Sequence, residues 1–200
     1  AVIEDWTLTG ATQSPVSLTL RAAEPEQFEV DLHIQQTGPI VLQGDRGLSA
    51  KGPDSASYYY SIPRLRIEGR LRLNDRVVTV TGLGWLDREW STSVLDESLA
   101  GWDWFSLQLD DARSIMAFRL RRYDGARDDF DHGLLVAPQD LDGRPVIGQG
   151  DPGVKILQSS DFTLSPQRFY QDERGARWPV AWSLTMNHEV FIINALVDDQ

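Results

Sequence analysis

Leu65-Arg66-Ile67-Glu68-Gly69-Arg70-Leu71-Arg72-Leu73-Asn74-Asp75 is the stretch that decides the fold. Aliphatic Leu65, Ile67, Leu71 and Leu73 alternate with charged Arg66, Glu68, Arg70 and Arg72, and Asn74-Asp75 is a turn signal. A period of two puts the aliphatic side chains on one face of an extended strand and the charges on the other. That is a half-buried antiparallel strand entering a hairpin. The pattern recurs at Phe28, Val30, Leu32 and Ile34, at Met116, Phe118 and Leu120, and at Val180, Trp182, Leu184 and Met186. Further turn signals stand at Asp110-Asp111, Asp124-Gly125, Asp142-Gly143, Arg174-Gly175 and Asn187-His188. No segment keeps helical spacing through three turns. The expectation is an all-β chain, a meander of hairpins closing into antiparallel barrels or a sandwich. Residues 91–100 lie between two Trp-rich motifs and predict a domain crossover. Residues 125–153 are rich in Asp, Gly and Pro and predict one or two long loops.

The 200 residues leave room for one generous domain or two small ones, and 41% hydrophobic against 24% charged residues is a soluble globular composition. Nineteen basic residues face thirty acidic ones, a net charge of −11. That balance argues against nucleic acid, which needs a basic footprint, and against anionic membrane surfaces. No apolar run approaches the roughly 20 residues of a membrane helix. The expected partner is a neutral or apolar small molecule; the sequence leaves the oligomeric state open. There are no cysteines, which excludes disulfides, Cys-based zinc or iron–sulfur sites and a Cys nucleophile. His33 on a polar strand face, His132 in a loop and His188 in a turn are isolated, without metal-ligand spacing. No phosphate loop, nucleophile elbow or dinucleotide fingerprint is present, so neither a metal nor a cofactor is expected. The chain begins at Ala1 without Met and stops just after the apolar run 190–197. Both ends read as cut through structure.

Three motifs carry polar chemistry. In Gly82-Leu83-Gly84-Trp85-Leu86-Asp87-Arg88-Glu89-Trp90-Ser91, Trp85, Asp87 and Glu89 share one strand face. Two carboxylates roughly 6–7 Å apart at the backbone can split their pKa values into an acid and a base, or pair with Arg88 in a structural network. In Gly101-Trp102-Asp103-Trp104-Phe105-Ser106-Leu107-Gln108-Leu109, Asp103 shares the apolar face of Phe105, Leu107 and Leu109. A carboxylate there must be paired or protonated, and Arg88, Arg119, Arg121 and Arg122 are candidate partners. Trp102 and Trp104 form either a ligand wall or a packed sheet core. In Ser57-Tyr58-Tyr59-Tyr60-Ser61, consecutive rings occupy both strand faces, and at least one hydroxyl points inward.

Lys51-Gly52-Pro53 through Ser61, GLGWLDREWSTSVL from Gly82 and GWDWFSLQLDDARSIMAFRLRRYDG from Gly101 resemble the AttH-like family, the lipocalin-like relatives of carotenoid 1,2-hydratase (hydroxyneurosporene synthase). The resemblance implies a tandem of two lipocalin-like (calycin) antiparallel β-barrels, with residues 1–95 in the first and 96–200 in the second. It also implies an exported protein, secreted or periplasmic, and a chain that is the middle of a longer member. Where the hydratases carry Tyr-His-Asp followed by Asn, this chain carries Trp85-Leu86-Asp87 without the His. The implied site is an apolar cavity with Tyr58, Tyr60, Trp85, Trp90, Trp102 and Trp104 as ligand-binding residues and Asp87, Glu89 and Asp103 as the catalytic carboxylates. Three readings stand side by side: an enzyme of hydratase or hydrolase type acting by general acid catalysis at Asp87 on a lipophilic, isoprenoid-like molecule, a non-catalytic carrier of such a molecule, and a structural or interaction domain with a filled core.

Overall fold

A computed structural model describes residues 1–11, 15–53, 55–91, 97–138, 145–146 and 153–199. The described residues contain no helix and form sixteen strands: β1 (Val2–Ile3), β2 (Trp6–Ala11), β3 (Ser17–Glu24), β4 (Phe28–Gln36), β5 (Ile40–Leu42), β6 (Leu48–Gly52), β7 (Ser55–Leu73), β8 (Arg76–Trp90), β9 (Leu99–Gln108), β10 (Ser114–Arg122), β11 (His132–Val136), β12 (Pro145–Val146), β13 (Val154–Gln158), β14 (Phe162–Gln171), β15 (Arg177–Met186) and β16 (Glu189–Asn194). The all-β expectation stands. The sheets run β1-β2-β3-β4-β7-β5-β12 with β6 and β8 also on β7, then β13-β11-β10-β9, then β14-β15-β16.

Packing divides the chain into two units, 1–96 with 105–116 and 134–156, and 97–104 with 117–133 and 157–200. In the first unit the stretch that opened the sequence reading is the end of β7. Leu73 opposes Arg76 across the Asn74-Asp75 turn, where Asn74 takes the left-handed conformation (φ 52°) that asparagine tolerates. Val16, Leu18, Ile34, Ile62 and Leu65 are buried together, with Leu8, Leu20, Leu32, Ile40, Tyr60, Ile67 and Leu86 packed against them. Tyr60 and Ile62 differ in parity from Leu65 and Ile67. They reach the same face because a bulge between Ile62 and Leu65 inserts one residue into β7. Gly84 lies opposite Leu65, where a Cβ would meet Ile67 Cδ1 at 2.6 Å.

The second unit buries Phe162 opposite Met186 and Leu164 opposite Leu184 in the β14–β15 ladder, alongside Phe118, Leu120 and Trp182. Three local expectations are corrected. Ser114, Ile115, Met116, Ala117 and Phe118 are all buried, so this part of β10 is covered on both faces rather than one. His132 opens β11, buried against the Phe118 ring at 4.4 Å, instead of lying in a loop. Residues 125–153 are not all loop: they contain β11 and β12, and β12 pairs in parallel with β5, outside the antiparallel pattern. Pro145 and Ile40 are far apart in sequence, so no hairpin turn dictates the direction of that pairing. Asp142-Gly143 lies outside the described residues.

Candidate functional site

The upper half of the β7–β8 hairpin carries two different faces. Tyr59 opposes Glu89 and Ser61 opposes Asp87 on β8, while Ser49 of β6 opposes Ser57. Directly opposed side chains share a sheet face, so Ser49, Ser57, Tyr59, Ser61, Asp87 and Glu89 point the same way. The other face takes Tyr58 opposite Trp90, Tyr60 opposite Arg88 and Ile62 opposite Leu86. It runs into the apolar core through Ile62 and Leu86.

Asp87 is the centre of the polar face. Ser61 Oγ donates to its Oδ1 at 2.5 Å and Trp85 Nε1 donates to the same oxygen at 2.9 Å. The Tyr59 side chain supplies a further hydrogen bond. Ser61 in turn accepts Gln43 Nε2 at 2.9 Å, and Gln43, Ser57, Tyr59 and Ser61 are all buried. Burial pushes the Asp87 carboxyl above its ordinary range; the hydrogen bonds from Ser61, Trp85 and Tyr59 oppose that, and the charge of Glu89 adds to it. Glu89 accepts Ser57 Oγ at 2.6 Å and pairs with Lys51 Nζ at 3.2 Å. Lys51 Nζ also lies 5.4 Å from the centre of the Tyr59 ring. Burial lowers the Lys51 ammonium pKa, and Glu89 acts in the opposite sense. The Ser49 hydroxyl is buried and bonds no protein group among the described residues.

This arrangement can hold a proton on Asp87 and stabilise the carboxylate once the proton has left. Desolvation favours the neutral acid, and the donors around Oδ1 favour the anion that proton transfer creates. No group of three or more His, Asp or Glu among the described residues could hold a metal ion.

The structure brings Asp87, Glu89 and Trp85 together and sets Tyr58, Tyr60 and Trp90 on the opposite face. Tyr60 and Trp90 stack there at 5.8 Å, with the Arg88 guanidinium 5.5 Å from the Trp90 ring. Tyr58 and Trp90 are largely exposed. Asp103 belongs to the second unit. Its carboxylate, 8% exposed, pairs with Arg119 at 2.7 Å and Arg121 at 3.5 Å. Arg119 also donates to the Leu164 carbonyl at 3.2 Å and lies over the Trp182 ring. The rings of Trp102 and Trp104 are exposed. Sequence reasoning placed Ser57, Tyr59 and Ser61 in the tyrosine motif, with Lys51 just before it, without making them site residues, and it passed over Gln43. The signal that was available is the Ser57-Tyr59-Ser61 spacing, in which two small hydroxyl residues flank one Tyr on its own face.

The AttH-like family model matches residues 1–200. No curated protein matches the sequence. A crystal structure of a candidate AttH from Nitrosomonas europaea superposes with a TM-score of 0.82 at 32% identity over 99% of this chain and 58% of that one. Kievitone hydratase from Nectria haematococca superposes with a TM-score of 0.72 at 16% identity, over 100% of this chain and 58% of that one. The likeness to the hydratase is one of fold. The chain thus spans 58% of the length of either protein.

Proposed function

This chain belongs to the AttH-like family, and on that footing we propose that it is part of an enzyme adding water to an alkene in a lipophilic small molecule, with Asp87 as the general acid. The observation that carries the reading is the half-buried Asp87 carboxyl, raised in pKa by burial and ringed by Ser61, Trp85 and Tyr59. The Asp87 proton passes to an alkene carbon, the π pair forms the new C–H bond, and water attacks the resulting cation. Glu89, on the same strand face, takes the proton that water releases, and proton exchange with solvent restores Asp87. Lys51 holds Glu89 in place for that role through their 3.2 Å contact. The hydratase name of a fold neighbour is consistent with this chemistry. Export to the periplasm or outside the cell, and a place in a tandem of two lipocalin-like barrels, residues 1–95 as part of the first and 96–200 as part of the second, complete the proposal.

The test is incubation with prenylated phenols and linear isoprenoid polyenes in H2(18)O, followed by mass spectrometry. The expected result is one oxygen-18 incorporated per hydrated double bond, at a rate lowered by about a hundredfold or more in Asp87→Asn while the variant still binds the substrate. Binding without turnover by the wild type favours the carrier reading. Equal turnover by Asp87→Asn removes Asp87 as the acid.

A further inference from the structure

The bulge of β7 sets Pro63 and Arg64 against Trp85 alone. A bulge takes backbone groups out of the ladder, and a buried carbonyl freed in this way needs a donor from elsewhere. Pro63 is fully buried and, as proline, brings no N–H of its own. The Arg64 carbonyl accepts the N–H groups of Thr37 and Gly38 at 3.1 and 2.8 Å. The Pro63 carbonyl accepts Gln108 Nε2 at 2.8 Å, and the same nitrogen donates to the Gly84 carbonyl of β8, also at 2.8 Å.

An amide nitrogen carries two N–H bonds, so Gln108 serves one carbonyl on each strand of the hairpin, and only its NH2 end can face two acceptors. Gln108 is the last residue of β9. Directly after it the Leu109 N–H donates to the Arg113 carbonyl at 2.9 Å, which closes the turn and fixes the place from which the amide reaches. Pro63, Gly84 and Gln108 all belong to the first unit.

This clamp stands where the register of the hairpin changes. On one side of it Leu65 opposes Gly84; on the other Ile62 opposes Leu86 and Ser61 opposes Asp87. Both donors at Asp87 Oδ1 are its neighbours in sequence: Trp85 follows Gly84, and Ser61 lies two residues before Pro63.

We propose that Gln108 is a positioning residue for Asp87: its amide pins the β7 bulge to β8 in the register that brings the Ser61 hydroxyl against the Asp87 carboxyl. Its importance for hydration rests on the reading of Asp87 as the general acid. The clamp is tested on the carboxyl itself, so it can fail while Asp87→Asn still abolishes turnover, and it can hold where no hydration is found.

Gln108→Met keeps the length of the side chain and removes both donors, and carboxyl carbon-13 titration of Asp87 is the readout. The Ser61 hydrogen bond lowers the Asp87 pKa and burial raises it, so the two ways of disturbing the site have opposite signs. A slackened register weakens the Ser61 bond while the carboxyl stays buried, and Asp87 should then titrate about half a pH unit or more above the wild type. A site that merely loosens admits water and moves the carboxyl down toward its ordinary value. Lys51, Tyr59 and Glu89, the other titratable groups on this face, are the same in the variant. In a Ser61→Ala background no Ser61 bond is left to weaken, and Gln108→Met should shift Asp87 by less than about half as much. If Gln108→Met does not fold, Gln108→Asn, which keeps the amide and withdraws it by a methylene, takes its place with the same expectations. An unmoved or lowered Asp87 titration overturns the proposal. A rise of equal size with and without Ser61 overturns it too, because Gln108 would then not act through Ser61.

Discussion

The Ser61 hydroxyl donates to Asp87 Oδ1 at 2.5 Å from the position directly opposite it in the β7–β8 ladder. Ser61 has one proton to give, and because it accepts Gln43 Nε2 at 2.9 Å, that proton is left for Asp87. Ser61→Ala removes a hydrogen bond that lowers the Asp87 pKa. The carboxyl should therefore titrate at higher pH than in the wild type. An acid whose folded pKa is raised favours the fold in its neutral form. That contribution is fully present below the unfolded pKa and is lost as pH rises through the folded one. In Ser61→Ala the loss should extend to higher pH. The buried Gln43 amide also loses its acceptor, at a cost of about 1–3 kcal/mol. Carboxyl carbon-13 titration of Asp87 and melting curves check both; an unmoved titration would mean that Ser61 does not tune the acid.

Three glycines of the β7–β8 hairpin should respond very differently to alanine. A Cβ at Gly69 would lie 2.1 Å from the Asp31 carbonyl oxygen, a backbone atom that can move only with its strand. A Cβ at Gly84 would meet Ile67 Cδ1 at 2.6 Å, the far end of a side chain that can turn away. At Gly82 nothing lies within 4 Å. Gly69→Ala should cost about 3 kcal/mol or more, Gly84→Ala about 1–2 and Gly82→Ala less than about 0.5, by the usual scale of overpacking and surface effects. Denaturant midpoints give the order, and a Gly82→Ala as damaging as Gly69→Ala would contradict the register of this hairpin.

The same hairpin separates what was legible in the sequence from what was not. Alternation through Leu65, Ile67, Leu71 and Leu73 and the Asn74-Asp75 turn are local signals, and the strand and turn lie where those residues put them. The bulge at Pro63 and Arg64 is marked only by Pro63 and by the change of parity between Ile62 and Leu65, which do not say by how much the partner strand shifts. Counted from the turn without it, Asp87 would oppose Ile62; with it, Asp87 opposes Ser61 and the polar face is formed. Sequence alternation therefore singled out Asp87, Trp85 and Glu89 as one face. Which tyrosine shares that face depended on a cross-strand register set by one inserted residue, and it is Tyr59. The aromatic grouping of Tyr58, Tyr60 and Trp90 is real as a cluster, yet it lies on the side of the sheet away from Asp87.

Asp103 shows the opposite case, where a rule violation in the pattern pointed at a partner. Its carboxylate is 8% exposed and meets Arg119 at 2.7 Å, whereas the Arg119 and Arg121 side chains keep 31% and 49% of their surface in solvent. Asp103→Asn should cost about 3 kcal/mol, the lower end of the range for breaking a buried pair, because water can still reach the arginines. Arg119→Met should cost at least as much, since Arg119 also serves the Leu164 carbonyl and the Trp182 ring. In the double variant the two costs should fall short of additivity by about 1 kcal/mol or more. Chemical denaturation of the four proteins measures this coupling, and strict additivity would show that the pair contributes nothing as a pair.

Asp131 should give the second unit a pH dependence of its own. The residue is buried, and burial pushes its carboxyl up to about 6, with the nearby Asp128 charge adding to the rise. The Leu120 N–H, 2.7 Å from Oδ1, works the other way and is not enough to restore the ordinary value. Between the ordinary Asp pKa and about 6 the folded chain holds a proton here that the unfolded chain has released. Stability therefore falls as pH rises through this window, by up to about 3 kcal/mol for a shift of some two units. Asp131→Asn keeps an oxygen for the Leu120 N–H and cannot ionise. Melting curves from pH 4 to pH 7 should show wild type losing stability relative to Asp131→Asn as pH rises, with the two converging at the acid end apart from a constant offset. A constant gap across the whole range would show that the Asp131 carboxyl titrates at its ordinary value in the folded chain and meets the Leu120 N–H of β10 without holding a proton.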